Sequence, residues 1–226
     1  MANWEQLNFQ DGIRPLIEQL YFLHDHIIRI LTLIMVLVSY IIFFLLKNKF
    51  QYTQSKENHN LEIVWTIIPA ATLLLIAFPS LRLLYMSEEN LTRPLRIKVI
   101  GHQWYWSYEY RNFKDIEFDS FIINKEYTFR LLETDNNVIV PVQTALQFFI
   151  SSTDVLHSWT IPVLGIKADS SPGRLNILVS NLNKPGVWFG QCSEICGANH
   201  RFMPISLFRT AAPHFLTWIK SLSSSL

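Results

Sequence analysis

Two long apolar stretches in the first third of the chain constrain its fold more than any other feature. Residues 27–46 are broken only by Arg29, Thr32, Ser39 and Tyr40, and a helix of that length rises about 30 Å, enough to cross a hydrocarbon core. Residues 63–86 form the second stretch. Pro69 and Pro79 lie inside it; membrane helices tolerate proline where another group takes up the backbone carbonyl it strands. Arg82, near the far end, is long enough to reach the headgroups. Neither stretch has the polar face by which a helix of a soluble bundle meets water. The pattern predicts a two-helix hairpin spanning a lipid bilayer.

The loop 47–62 between the spans sets the orientation. Lys47, Lys49 and Lys56 crowd residues 47–60, with Glu57 alone against them. Positive loops stay on the side where the chain is made. Residues 1–26 and everything after the second span are therefore expected on the opposite side, an intermembrane space or periplasm. The first residues carry no basic stretch, and the first span is too long and too late for a cleaved signal. That suits a protein made and inserted inside an organelle.

From about residue 95 the period changes. Leu95-Arg96-Ile97-Lys98-Val99 alternates apolar and charged residues, the pattern of a half-buried strand. Further strands are expected over 127–132, 146–151, 175–180, 187–190 and 205–209, and a short helix over 213–222. Turn formers such as Asp135-Asn136-Asn137, Ser171-Pro172-Gly173 and Lys184-Pro185-Gly186 separate them. Short strands so spaced predict an all-β sandwich or Greek-key barrel over 92–226. Formal charge is only +1, and there is no glycine-rich nucleotide loop or lysine run, so no nucleic-acid partner is expected.

The chain's two cysteines, Cys192 and Cys196, stand four apart. A bridge between them would close a very short loop and staple little chain. Metal ligation makes better use of them, because His200 and Met203 follow within the same run and His157 lies upstream. Thiolate, imidazole and thioether together are a copper-type donor set, with one cysteine more than a single blue-copper site uses. Zinc is the rival: His157, Cys192, Cys196 and His200 would make a closed tetrahedron, leaving Met203 as a core residue. Ligand type favours copper, while spacing alone leaves both open.

Several strings resemble those of the cytochrome c oxidase subunit II family, nearly end to end. They are Gly190-Gln191-Cys192-Ser193-Glu194-Ile195-Cys196-Gly197 with Asn199-His200 and Met203-Pro204, Asp154-Val155-Leu156-His157-Ser158-Trp159, and Pro172-Gly173-Arg174-Leu175-Asn176. Gly101-His102-Gln103-Trp104-Tyr105-Trp106 and its continuation to Tyr110, and Trp65-Thr66-Ile67-Ile68-Pro69-Ala70 in the second span, match as well. The resemblance implies a cupredoxin-like Greek-key barrel in the mitochondrial inner membrane, with both termini in the intermembrane space. It implies the dinuclear copper centre CuA, with Cys192 and Cys196 bridging two copper ions, His157 and His200 each on one, and Met203 and the Glu194 carbonyl as weaker ligands. It gives the Glu194 side chain to a Mg2+ (or Mn2+) ion shared with subunit I. It makes Trp104 the point where electrons arrive from cytochrome c, and Glu62 the mouth of a proton path.

Cytochrome c is basic, so its dock is expected to be acidic; Glu109, Asp115, Glu117, Asp119, Asp135 and Asp154 are the candidates. Arg111, Asn112 and Lys114 interrupt a stretch that is more acidic in the family. Partners implied are cytochrome c, subunits I and III, further oxidase subunits and the bilayer. The implied activity is electron transfer to haem in subunit I for O2 reduction coupled to proton pumping. A quinol-oxidase subunit on the same scaffold would lack these copper ligands. A metal chaperone needs an exposed, exchangeable site, whereas these donors come from separate segments.

Overall fold

In the computed structural model, which describes residues 7, 9–51, 57–87, 94–113, 116–123, 129–182 and 184–224, the chain divides into two compact units. One is Glu18–Ser87; the other is Glu88–Leu226 together with Met1–Ile17.

The first unit is built on two helices, α1 (Pro15–Lys47) and α2 (His59–Ser87). α1 starts well ahead of residue 27. Pro15, which has no N–H to leave unsatisfied, occupies its first position, and Glu18 sits in the first turn, where the helix dipole favours an acid. α2 is capped by Asn58, whose Oδ1 accepts the Leu61 N–H at 3.2 Å. Both helices are long and apolar enough to cross a membrane, and none of their most apolar stretch is buried. So much outward-facing apolar surface requires lipid or protein around it. Pro79 cannot donate to the Leu75 carbonyl one turn back. His26 Nε2 lies 3.2 Å from that oxygen, and because a carbonyl only accepts, the imidazole N–H supplies the missing bond.

The second unit is all-β. Its strands are β1 (Leu95–His102), β2 (Tyr105–Tyr110), β3 (Glu117–Ser120), β4 (Val138–Pro141), β5 (Ala145–Ser152), β6 (His157–Ile161), β7 (Ile166–Ser170), β8 (Asn176–Asn181), β9 (Gly186–Gln191) and β10 (Pro204–Thr210). They form a five-stranded sheet in the order β3-β2-β1-β5-β8, a three-stranded sheet β4-β10-β9 and the pair β6-β7. β1 runs antiparallel to β2 and parallel to β5. Among the described residues no single ladder runs round all ten strands; the three sheets share one core. Ile97, Val99, Trp106, Phe148, Trp159, Ile161, Ile205 and Leu207 are wholly buried in it. The last helix, α3 (Ala212–Ser224), adds Trp218, whose ring meets Tyr110 edge-on at 5.3 Å. The N-terminal segment joins this unit: the Ile13 N–H donates to the Val163 carbonyl at 3.4 Å, and Ile17 packs where a Cβ on Gly165 would come within 2.6 Å of it.

One expected strand is absent. Of 127–132, the described part, 129–132, holds no strand, and 130–132 are turn: Leu131 has φ 64°, and the Phe129 N–H is taken by the Glu133 carboxylate. β2, in contrast, hid from periodicity because residues on both of its faces are covered.

Candidate metal centre

β9 and β10 are antiparallel partners, with Gln191 opposite Pro204. The segment 192–203 is therefore a closed loop, and its two ends meet: the Cys192 N–H donates to the Met203 carbonyl at 3.3 Å. The Ser193 N–H donates to the Ser158 carbonyl at 3.0 Å, which ties the loop to β6, and β6 opens on His157. Three glycines permit these approaches. A Cβ on Gly190 would stand 1.9 Å from the Thr160 carbonyl oxygen, one on Gly101 would stand 2.8 Å from the His157 ring, and one on Gly197 (φ +120°) would press on Gln103 and Trp104.

The soft donors converge in the space so formed. Cys192 Sγ and Cys196 Sγ are 3.9 Å apart. Both cysteines are free and buried, and a disulfide needs about 2.05 Å, so the two are unbridged in this structure. His157 Nδ1 lies 3.9 Å from Cys192 Sγ. His200 Nδ1 lies 3.6 Å from Cys196 Sγ, and Met203 Sδ lies 3.5 Å from the same sulfur. The Glu194 carbonyl oxygen is 3.4 Å from Cys192 Sγ. The donor atoms of His157, Cys192 and Cys196 all fall within 4.8 Å of one another, close enough to hold a metal ion.

Asp154 fixes the histidine. Its Oδ1 lies 2.8 Å from His157 Nε2, and a carboxylate only accepts, so Nε2 carries the hydrogen and Nδ1 turns its lone pair to the sulfurs. Burial works against charge on Asp154, but bonds from His157, Val155 N–H and Gln103 N–H outweigh it and hold the carboxyl below its usual range. Burial likewise opposes a charged His157, and its bonds to Cys192 and Asp154 raise it nonetheless. Trp106 braces two donors: its ring meets His157 edge-on at 5.8 Å, and its indole N–H donates to the Met203 carbonyl at 3.3 Å.

The two thiols are unequal. Burial disfavours a thiolate at Cys192, yet His157 and neighbouring backbone bring it down to about 6. Burial and the charge on Cys192 push Cys196 up to about 12. The pair thus favours one thiolate, and a bound cation would supply the charge that removes the second proton. Two thiolates, two imidazoles, a thioether and a carbonyl fit copper. A closed zinc tetrahedron would leave Met203 Sδ, buried and beside Cys196, without a role.

The remaining sequence candidates are spread more widely. Trp104 is half-buried, and its indole N–H reaches the Cys196 carbonyl at 3.3 Å; Gln103 Nε2 donates to the same oxygen at 2.8 Å. The Glu194 side chain is exposed, and no other carboxylate joins it in a metal-holding cluster among the described residues. Glu109 is neutralised by Lys98 at 2.6 Å and Arg111 at 3.1 Å. Asp135 accepts the N–H groups of Phe121 and Asn136. Asp119, Glu117 and Asp154 all lie near enough to His102 for their charges to act on it. Asp115 lies outside the described residues. Glu62, in the first turn of α2, is 3.4 Å from His59. Sequence reasoning missed the bracing roles of Trp106 and Gln103, and took Asp154 only for a docking acid. The three-residue spacing from Asp154 to His157 was the available signal.

Comparison with known proteins bears directly on this arrangement. The family model described as cytochrome C oxidase subunit II, periplasmic domain, matches residues 95–210, and that for the transmembrane domain of the same subunit matches residues 2–83. Cytochrome c oxidase subunit 2 of Aedes aegypti is 50% identical over 225 residues, covering 98% of this chain and 99% of the relative. That of Acheta domesticus is 50% identical over 227 residues, covering 99% and 100%. Among solved structures, the periplasmic domain of subunit II of cytochrome oxidase from Bradyrhizobium japonicum is 38% identical with a TM-score of 0.57, covering 60% of this chain and 97% of that domain.

Proposed function

This chain belongs to the cytochrome c oxidase subunit II family, and on that premise we propose that it takes electrons singly from ferrocytochrome c at CuA and passes them to haem a in subunit I. There they reduce O2 to water, coupled to proton pumping. The chain is a membrane-anchored copper-site subunit of a haem–copper oxidase complex. The observation that carries the proposal is the meeting of two free sulfurs 3.9 Å apart with imidazole on either flank.

Cys192, Cys196, His157 and His200 would hold the copper, with Met203 and the Glu194 carbonyl as weaker donors. The copper pair supplies storage for one electron spread over two ions. The protein keeps that change cheap by preventing its donors from moving: Asp154 locks His157, and Trp106 holds Met203. Electrons come in at Trp104, whose indole hydrogen bond to the Cys196 carbonyl is a short through-bond route to a bridging sulfur. Glu117, Asp119 and Asp154 draw in the basic carrier; Glu109, already paired, contributes little.

The Glu194 carboxylate shares a Mg2+ (or Mn2+) ion with subunit I, since one carboxylate cannot hold that ion alone. Glu62 opens a proton path on the side of the loop 47–62. Subunits I and III and further subunits pack against part of the hairpin, and the lipid bilayer surrounds the rest. The chain resides in the mitochondrial inner membrane with residues 1–26 and 92–226 in the intermembrane space. The lysines of the loop 47–62 and the near full-length identity to insect subunits support that placement.

Rapid-mixing reduction of the oxidase by ferrocytochrome c tests this reading. Trp104→Ala should slow electron uptake at least about tenfold, the rate cost of roughly 1.4 kcal/mol on the barrier, with the copper spectrum unchanged. An undiminished rate contradicts the role given to Trp104.

A further inference from the structure

Between α1 and α2 lies a crevice of about 120 Å3, lined by Gln19, Leu23, His26, Pro79, Arg82 and Met86 among others. It sits toward the end of the hairpin from which the chain continues into the β-domain. Arg82 is five residues before Ser87, the last residue of α2, about 7–8 Å along the axis. We propose that this crevice binds the phosphate of an anionic phospholipid.

Pro79 lines the space, and the side chains around it set its chemistry. Pro79 strands the Leu75 carbonyl, and His26 is held across the helix pair by donating to it. That bond pins one polar wall in place without using Arg82 or Gln19. Arg82 enters no ion pair among the described residues. A guanidinium at the membrane edge gains most from an oxyanion that accepts its forked N–H groups, and a phosphodiester does so. The Gln19 amide adds a further donor group. Leu23, Pro79 and Met86 supply apolar surface for the glycerol and first acyl carbons. A zwitterionic lipid carries its own cation, which competes with Arg82, so a net-negative headgroup is preferred. The level of the crevice on a membrane hairpin makes lipid, not free phosphate, the source.

Phosphatidylglycerol carrying a photoreactive group near its headgroup, added to delipidated oxidase complex, tests the site. Peptide mapping should find the label on residues 19–26 and 79–86. Excess phosphatidylglycerol should compete it away and phosphatidylcholine should not. Labelling should fall at least about tenfold in Arg82→Gln and persist in Arg82→Lys, with the copper signal intact in both. Equal competition by phosphatidylcholine, or undiminished labelling in Arg82→Gln, overturns the proposal. So does a cross-link to another polypeptide from a photoreactive residue placed at Phe22, which would mean a neighbouring subunit fills the crevice. The competition arm uses unaltered protein and decides the matter even where a variant does not assemble.

Discussion

The two halves of the donor cluster are built differently. His157, Cys192 and Met203 are buried and tied to the sheets: His157 to Asp154, Met203 to Trp106, and the chain beside Cys192 to Ser158. Cys196 is buried too, but its neighbours are not. Glu194, Ile195, Gly197 and Asn199 are exposed and His200 half-exposed, and the bonds to the Cys196 carbonyl come from Gln103 and Trp104 at the surface. The inner half fixes donor geometry; under the proposed function, the outer half is where electrons and partner subunits would gain access. Rigidity and access are thus divided between two cysteines four residues apart.

The largest test of that division compares glycines. Gly190→Ala forces a Cβ to within 1.9 Å of a backbone oxygen in the inner half and should cost about 3 kcal/mol in denaturant unfolding. Gly197→Ala in the outer half meets side-chain atoms at 3.1 Å or more and should cost about 1–2 kcal/mol, mainly from its positive φ. Reversed costs would break the comparison. Next, Asp154→Asn removes the charge that orients His157 and should weaken copper retention against a chelator by about 10–100-fold. The same substitution should also blunt the salt dependence of the reaction with cytochrome c. A loss confined to salt dependence would leave Asp154 as a docking acid alone. The smallest effect belongs to Trp106→Phe, which keeps an aromatic ring against His157 but deletes the donor to the Met203 carbonyl. It should lower stability by about 1 kcal/mol and shift the copper spectrum, whereas Trp104→Ala should leave that spectrum alone.

What the sequence made legible was whatever is written locally. The two spans could be read from composition because a bilayer demands unbroken apolar length. Cys192, Cys196, His200 and Met203 stood out as candidate donors because they crowd one loop. Their assembly could not be read. Nothing near His157 announces that Ser158 pairs with Ser193, or that Trp106 lies against both His157 and Met203; those contacts exist only once β2, β6 and β10 share a core. β2 itself was obscured because burial on both faces removes alternation. The strand expected over 127–132 failed for the opposite reason: apolar residues alternate there, but Leu131 adopts a left-handed conformation that turns the chain. The early start of α1 escaped notice because residues 15–26 are too mixed to register as membrane, while Pro15 and Glu18 start the helix there.

Metal analysis combined with electron paramagnetic resonance on the copper domain tests the central claim most directly. The arrangement of Cys192, Cys196, His157 and His200 predicts two coppers per chain and a signal from one unpaired electron shared equally between both nuclei. One zinc per chain, or a signal confined to a single copper, would contradict it.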